Sequence, residues 1–126
     1  MKFGIIGRVW GKNYARLLKK LGYEYEITGK DNADEVIKKS DCIIIASPSE
    51  THFAYITKCL DKHILVEKPM VMSLKEAREV RDMLKDKVFM IGHQYLYNDS
   101  LPKIDLKRAV IKLRYPIENA FWEISS

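Results

Sequence analysis

Four short runs of almost uninterrupted apolar residues recur along the chain: Phe3-Gly4-Ile5-Ile6, Cys42-Ile43-Ile44-Ile45-Ala46, Ile64-Leu65-Val66 and Val88-Phe89-Met90-Ile91. Runs this short, without polar alternation, suit strands covered on both faces, as in a parallel sheet sandwiched between helices. Between them the spacing becomes helical. Tyr14, Leu17, Leu18 and Leu21 fall at i, i+3, i+4 and i+7; Leu74, Ala77, Val80 and Leu84 form a similar stripe, and Phe53, Ile56 and Leu60 approximate one. Ser73 with Glu76 and Asn32 with Glu35 each fit a capping box, in which side chains satisfy the orphan N–H groups of a helix start. Tyr23 to Thr28 instead alternates Tyr23, Tyr25 and Ile27 against Glu24 and Glu26, the pattern of a half-exposed strand at a sheet edge. The alternation of strand and helix predicts an α/β fold with a doubly wound, mainly parallel sheet.

From about Asp99 the period changes. Ala109, Ile111, Leu113 and Tyr115 alternate with Val110, Lys112 and Arg114, and a second strand-like run, Phe121 to Ile124, follows Pro116 to Asn119. This predicts a β-hairpin appended to the α/β unit, with residues 1–98 as the main domain and 99–126 as a C-terminal extension. An isolated hairpin is marginal in water, so its apolar face is expected to pack on the parent domain or on another chain.

Composition narrows the classes. At 126 residues the chain matches one domain and is too short for a two-domain enzyme complete in itself. Hydrophobic residues make up 47% and charged residues 31%, an ordinary globular balance. No apolar run approaches the ~20 residues of a membrane-spanning helix, and the N-terminus runs straight into a strand pattern, unlike a signal peptide, so a cytoplasmic protein is expected. Its 22 Lys and Arg against 17 Asp and Glu give +5, but the cations are scattered beside acidic residues, which argues against a nucleic-acid surface. Cys42 and Cys59 lack metal spacing and read as small buried apolar residues in a reducing compartment; no metal site is expected.

Candidate chemistry gathers where strands end. Gly7-Arg8-Val9-Trp10-Gly11 passes from the first strand into a helix with Lys12 and Asn13, and such a glycine turn lets backbone N–H groups approach a diphosphate at a helix N-terminus. The full fingerprint is Gly-x-Gly-x-x-Gly; here only three residues separate Gly7 from Gly11 and the middle glycine is absent. A Cβ at Arg8 or Val9 is expected to weaken or displace a dinucleotide there, while Arg8 and Lys12 can meet phosphate directly; a tight turn without ligand is the competing reading. Trp10 reads as a packing residue. Asp31, about 20 residues beyond Gly11, stands where an acidic residue would hold the adenosine ribose, although Lys30-Asp31-Asn32-Ala33-Asp34 also reads as a turn and helix cap.

Two further segments are more specific. Ala46-Ser47-Pro48-Ser49-Glu50-Thr51-His52 follows the third strand and Val66-Glu67-Lys68-Pro69 the fourth, both at the carboxyl edge where open α/β sheets bind ligands. An ammonium held there polarises a hydroxyl or carbonyl and passes a proton as hydride leaves or arrives at carbon. Pro69 restricts the Lys68 backbone to extended conformations and can take the cis form. His52, near a helix start, reads as a polar cap or as a cofactor contact. His63 reads as structural, and His93 lies at the same carboxyl edge as Lys68.

Asp41 to His52, His63 to Met70 and Ile91-Gly92-His93-Gln94-Tyr95 together resemble the nucleotide-binding, Rossmann-like half of the Gfo/Idh/MocA oxidoreductases, over about Lys2 to Asn98. The resemblance implies that Ser47, Pro48 and His52 line an NAD or NADP site, that Lys68 sits at the reacting centre with Glu67 near it, and that the substrate is a sugar or cyclitol. There are departures besides the shortened glycine turn. The family normally has a further helix and strand between its second strand and the helix preceding Asp41, so one βα unit is missing and five parallel strands in the order 2-1-3-4-5 are expected. The family's C-terminal antiparallel sheet, which supplies substrate contacts, an acid/base histidine and the oligomer interface, has only the expected hairpin from about Ala109 in its place.

Two readings follow. In one, the chain is an NAD(P)-dependent dehydrogenase or reductase whose site is completed by a second chain or by a homodimer formed through the hairpin, burying Ile111, Leu113, Phe121 or Trp122. In the other, it is a nucleotide-binding or interaction module that kept the fold and lost turnover. A small α/β module for coenzyme A or nucleotides is a related third, which leaves Glu67-Lys68-Pro69 unexplained.

Overall fold

In a computed structural model the described residues are 1–84 and 86–99, so the hairpin expected beyond them lies outside the described residues. The chain divides into two compact units, Met1–Gly92 and a second beginning at His93, whose described part holds a short 3-10 turn, Gln94–Tyr97. The first unit runs β1 (Lys2–Ile6), α1 (Gly11–Lys20), β2 (Glu24–Thr28), α2 (Ala33–Lys38), β3 (Cys42–Ile45), α3 (His52–Lys58), β4 (His63–Val66), α4 (Leu74–Met83) and β5 (Phe89–Ile91). The strands form one sheet in the order β2-β1-β3-β4-β5, every pair parallel. The α/β architecture, strand count and order are those expected.

Burial follows position in the sheet. Central β3 is buried at every residue, whereas β2 is only partly covered, as an alternating edge strand should be. On one face, Ala33 and Ile37 of α2, Ile56 of α3 and Val80 of α4 pack with Ile6, Ile43, Ile45, Ile64 and Val66. On the other, Ala15 and Leu18 of α1 pack on Ile5 and Ile44. Past the reach of α1, Phe3, Ile44, Leu65 and Met90 line an open apolar groove of about 340 Å³.

Local details correct parts of the sequence reading. The buried line of α1 is Gly11, Ala15 and Leu18, while Leu17 and Leu21 are 52% and 60% exposed, so the helix rests on the sheet along a narrower stripe than its leucines suggest. Ser73 caps α4 as expected, its Oγ accepting the Glu76 N–H at 3.2 Å, and Glu76 Oε2 accepts the Met72 N–H. Asn32 makes no such bond. Its backbone sits at φ −118°, ψ 20°, away from the extended conformation that Ser73 adopts at φ −142°, ψ 153° and that lets a cap side chain reach back. Glu35 pairs with Lys39 instead.

At the amino-terminal rim of the sheet, the Lys2 N–H donates to Asp41 Oδ2 at 2.8 Å and the Val88 N–H to His63 Nδ1 at 3.1 Å. His63 is a strand clip, as its structural reading held.

Both cysteines are buried free thiols. Burial, with the Asp61 carboxylate adding to it, pushes the Cys59 thiol up to about 12. Burial, and then the hydrogen bond and charge of Glu67, raises the Tyr14 hydroxyl as well. In the folded protein each proton is held more tightly than in the open chain, where a thiol ionises near ~8.5. Stability is therefore complete below that value and falls as pH rises toward 12, because only the unfolded chain releases the proton. The urea midpoint is expected to hold to about pH 8.5 and then drop, with roughly 2 kcal/mol lost by about pH 10.5. A midpoint unchanged between pH 8 and 10.5 would contradict the Cys59 environment described.

Candidate functional site

The first turn at the carboxyl edge depends on Gly7. Its φ is +114°, and a Cβ there would stand 2.2 Å from the Ala46 carbonyl oxygen and 2.7 Å from the Ser47 nitrogen, so β1 can enter its turn against the end of β3 only as glycine. Gly11 does a second job: a Cβ would meet Ile5 Cγ2 at 2.7 Å, so its absence lets α1 lie close on the sheet. Two of the three glycine functions of a dinucleotide fingerprint are thus retained. Trp10 precedes α1 without a side-chain cap, and although the Asn13 N–H donates to the Trp10 carbonyl at 2.9 Å, the amides of Gly11 and Lys12 are left to an outside acceptor. Val9 and Trp10 are 83% and 62% exposed, so Trp10 is not the packing residue its sequence context suggests. Arg8 and Lys12 are exposed beside them. This turn fits a dinucleotide's diphosphate, with the Gly11 and Lys12 amides to hold it; the Gly7 N–H is spent on the Thr28 carbonyl at 2.9 Å, so Gly7 shapes the turn and is not the direct contact its sequence context suggests.

The β3 segment is internally bonded. The Thr51 hydroxyl donates to the Pro48 carbonyl at 2.7 Å, so its one hydrogen is committed and the half-buried Ser47 hydroxyl is the donor in their 2.7 Å contact. His52 lies deeper than its sequence reading placed it. It is 1% exposed, with Nδ1 2.8 Å from the Pro69 carbonyl and Nε2 2.9 Å from the Ser47 carbonyl. Both ring nitrogens face backbone carbonyls, so the ring is enclosed between two loops and presents no free polar atom. A neutral imidazole donates to one of those carbonyls and an imidazolium to both. Its ring joins the loop after β3 to the loop after β4 that carries Lys68. His52→Phe fills the space without a donor, and a loss of about 2 kcal/mol in urea unfolding is expected from the carbonyl that loses its N–H. A change below about 0.5 kcal/mol would mean that the brace contributes nothing.

The Lys68–Pro69 peptide bond is cis, the form the sequence allowed, and Lys68 is half-buried. Glu67 beside it is held from several sides. Tyr14 of α1 donates to Oε1 at 2.5 Å, the Lys68 N–H donates to Oε2 at 3.3 Å, and Gly92 is so close that a Cβ there would stand 3.2 Å from Oε2. Tyr14 is the site residue that the sequence reading absorbed into an apolar stripe. The available signal was chemical: a tyrosine on a buried helix face needs a partner for its hydroxyl.

Asp31 is exposed in the turn between β2 and α2. His93 opens the second unit, where its carbonyl accepts the Leu96 N–H at 3.0 Å. Among the described residues no group of three or more His, Cys, Asp or Glu side chains could hold a metal ion, and no helix is long and apolar enough to cross a membrane.

Comparison with known proteins adds to this geometry. A family model described as "Oxidoreductase family, NAD-binding Rossmann fold" matches residues 9–95. Glucose-6-phosphate 3-dehydrogenase of Bacillus subtilis is 43% identical over 54 residues, covering 41% of this chain and 15% of that protein. An uncharacterized oxidoreductase of Streptococcus pneumoniae is 29% identical over 117 residues, covering 74% of this chain and 32% of that protein. The fold is shared with the crystal structure of a putative oxidoreductase from Magnetospirillum magnetotacticum, at TM-score 0.68 and 24% identity over 78% of this chain and 40% of that one. The chain spans a third or less of the length of these two curated relatives.

Proposed function

Starting from the fact that this chain belongs to the Gfo/Idh/MocA oxidoreductase family and carries its NAD-binding domain, we propose that it binds NAD or NADP along the carboxyl edge of the sheet and serves hydride transfer on a sugar or cyclitol. One observation carries the reading: His52 ties the Ser47 carbonyl to the Pro69 carbonyl, which fixes the loop of Lys68 against the segment that would line a nicotinamide. The name of the Bacillus subtilis relative supports a sugar substrate.

The nicotinamide, when bound, supplies or takes up the hydride. The first amides of α1, at Gly11 and Lys12, hold the diphosphate, with the Lys12 ammonium as a nearby countercharge, while Gly7 shapes the turn that lets it approach. Ser47 and Pro48 shape the wall of the groove. Lys68 exchanges a proton with the substrate oxygen as hydride leaves or arrives at the adjoining carbon. Glu67, anchored by Tyr14, sets the start of the Lys68 loop and places a carboxylate beside the reacting centre.

The substrate side is completed by a second chain, either another copy of this one or a partner, and the buried free thiols suit a reducing, cytoplasmic setting. A second reading, a nucleotide-binding or interaction module without turnover, is favoured by the glycine turn one residue short of the fingerprint. The first test is binding: NADH or NADPH fluorescence should change on titration with the protein, with a matching thermal shift. Neither signal at millimolar nucleotide would remove the dinucleotide reading.

A further inference from the structure

β1 and β2 are paired with Ile6 opposite Thr28, and the Gly7 N–H extends the pairing by donating to the Thr28 carbonyl at 2.9 Å. The residues that follow the two strands are therefore neighbours. Arg8 lies over Gly29: a Cβ built on that glycine would stand 3.6 Å from Arg8 Nε and 3.8 Å from its Cζ. Arg8 and the next residue, Lys30, are both exposed. Among the described residues neither has a hydrogen-bond or ion-pair partner.

In a doubly wound fold the end of β2 is where the adenosine ribose comes to rest. A carboxylate there accepts from a free 2′-hydroxyl, whereas a guanidinium there meets a 2′-phosphate. In this chain the position directly after β2 has no side chain, a lysine follows it, and an arginine from the neighbouring turn covers it. Arginine and lysine only donate, so they offer a 2′-hydroxyl proton no acceptor, but they match a phosphate dianion in charge and geometry. Asp31, the acidic residue nearest in sequence, comes one position after Lys30, in the turn that leads to α2.

We infer that the adenosine-ribose subsite is built for a 2′-phosphate and that the cofactor is NADP(H) in preference to NAD(H), with Arg8 as the guanidinium clamp over Gly29 and Lys30 as the second cation. This rests on the dinucleotide reading above and deepens it. The same arrangement gives the shortened turn a use, since Arg8 replaces bare backbone by a charge at the adenosine end.

The experiment titrates NADPH and NADH separately into the full chain by reduced-nicotinamide fluorescence, and compares adenosine 2′,5′-bisphosphate with adenosine 5′-monophosphate by thermal shift. NADPH is expected to bind at least about tenfold tighter, the ratio one charged hydrogen bond supplies. The advantage should shrink as salt rises. Arg8→Ala should erase most of the preference, weakening NADPH at least about tenfold more than NADH. Gly29→Asp should invert it: Gly29 is not among the positive-φ residues, its Cβ would meet Arg8 at ordinary contact distance, and the new carboxylate would pair with Arg8 and accept from the ribose. NADH binding as tightly as NADPH, or a preference that survives both substitutions, overturns the inference and leaves the dinucleotide reading standing. Binding of neither nucleotide overturns both.

Discussion

Lys68→Ala is expected to cut nicotinamide-dependent turnover of sugar or cyclitol substrates by roughly 10²–10⁴-fold, the usual contribution of a positioned proton donor or acceptor. The reason lies in what surrounds the residue. Lys68 stands one position from a carboxylate held by Tyr14 and one from a proline whose carbonyl meets His52, so its backbone is fixed by groups the substitution leaves in place. The variant should therefore fold, with a stability change within about 1 kcal/mol, and should bind NAD(P)H within a few-fold of the parent. Rates followed at 340 nm and a parallel binding titration separate the readings. Lost turnover with intact binding supports catalysis by Lys68. Unchanged turnover removes Lys68 from the chemistry, and a parent that binds nucleotide without turnover, with the variant altered only in stability, supports a module that keeps the fold without the chemistry.

The second large effect is on folding. Gly7→Ala combines two faults: a side chain at φ +114°, and a methyl 2.2 Å from the Ala46 carbonyl oxygen and 2.4 Å from its carbon. The obstacle is the backbone that directly follows central β3, a strand buried throughout, so relief would require separating β1 from β3. The Ala46 N–H also donates to the Ile6 carbonyl at 2.8 Å, and that bond lies directly beside the clash. A loss on the order of 4 kcal/mol or more is expected, in the range reserved for strained backbone combined with overpacking. Urea unfolding measures it, and a variant within about 1 kcal/mol of the parent would show that the turn has another conformation available.

Much of the fold was legible because its signals are local. Four apolar runs marked the strands but overstated their cover, since one face stays open along Phe3, Ile44, Leu65 and Met90; alternation in Tyr23 to Thr28 marked an edge, and Ser73 marked a helix start by side chain and backbone together. Asn32 shows the limit, since its side chain suits a cap and its backbone does not. Lys68 and Pro69 were legible as a pair because consecutive residues define them. Tyr14 and His52 were not, for different reasons. The Tyr14–Glu67 bond joins residues 53 apart in the chain, and the His52 partners are two backbone carbonyls, groups every residue possesses. Nothing in the identity of Ser47 or Pro69 announces that a histidine ring will find their oxygens. The place of Arg8 over Gly29 was hidden for a related reason, because it follows from the register of two strands.

The sheet's polarity has one more consequence. Asp41 and His63 clip strands at the amino-terminal rim, while Gly7, Ser47 and Lys68 follow strands at the other end. Alterations at the clips can therefore weaken the scaffold without entering the ligand groove. That makes the Asp41–His63 rim the natural attachment point for a fluorophore or tether, and Asp41→Asn a ready control that separates damaged chemistry from a merely loosened protein.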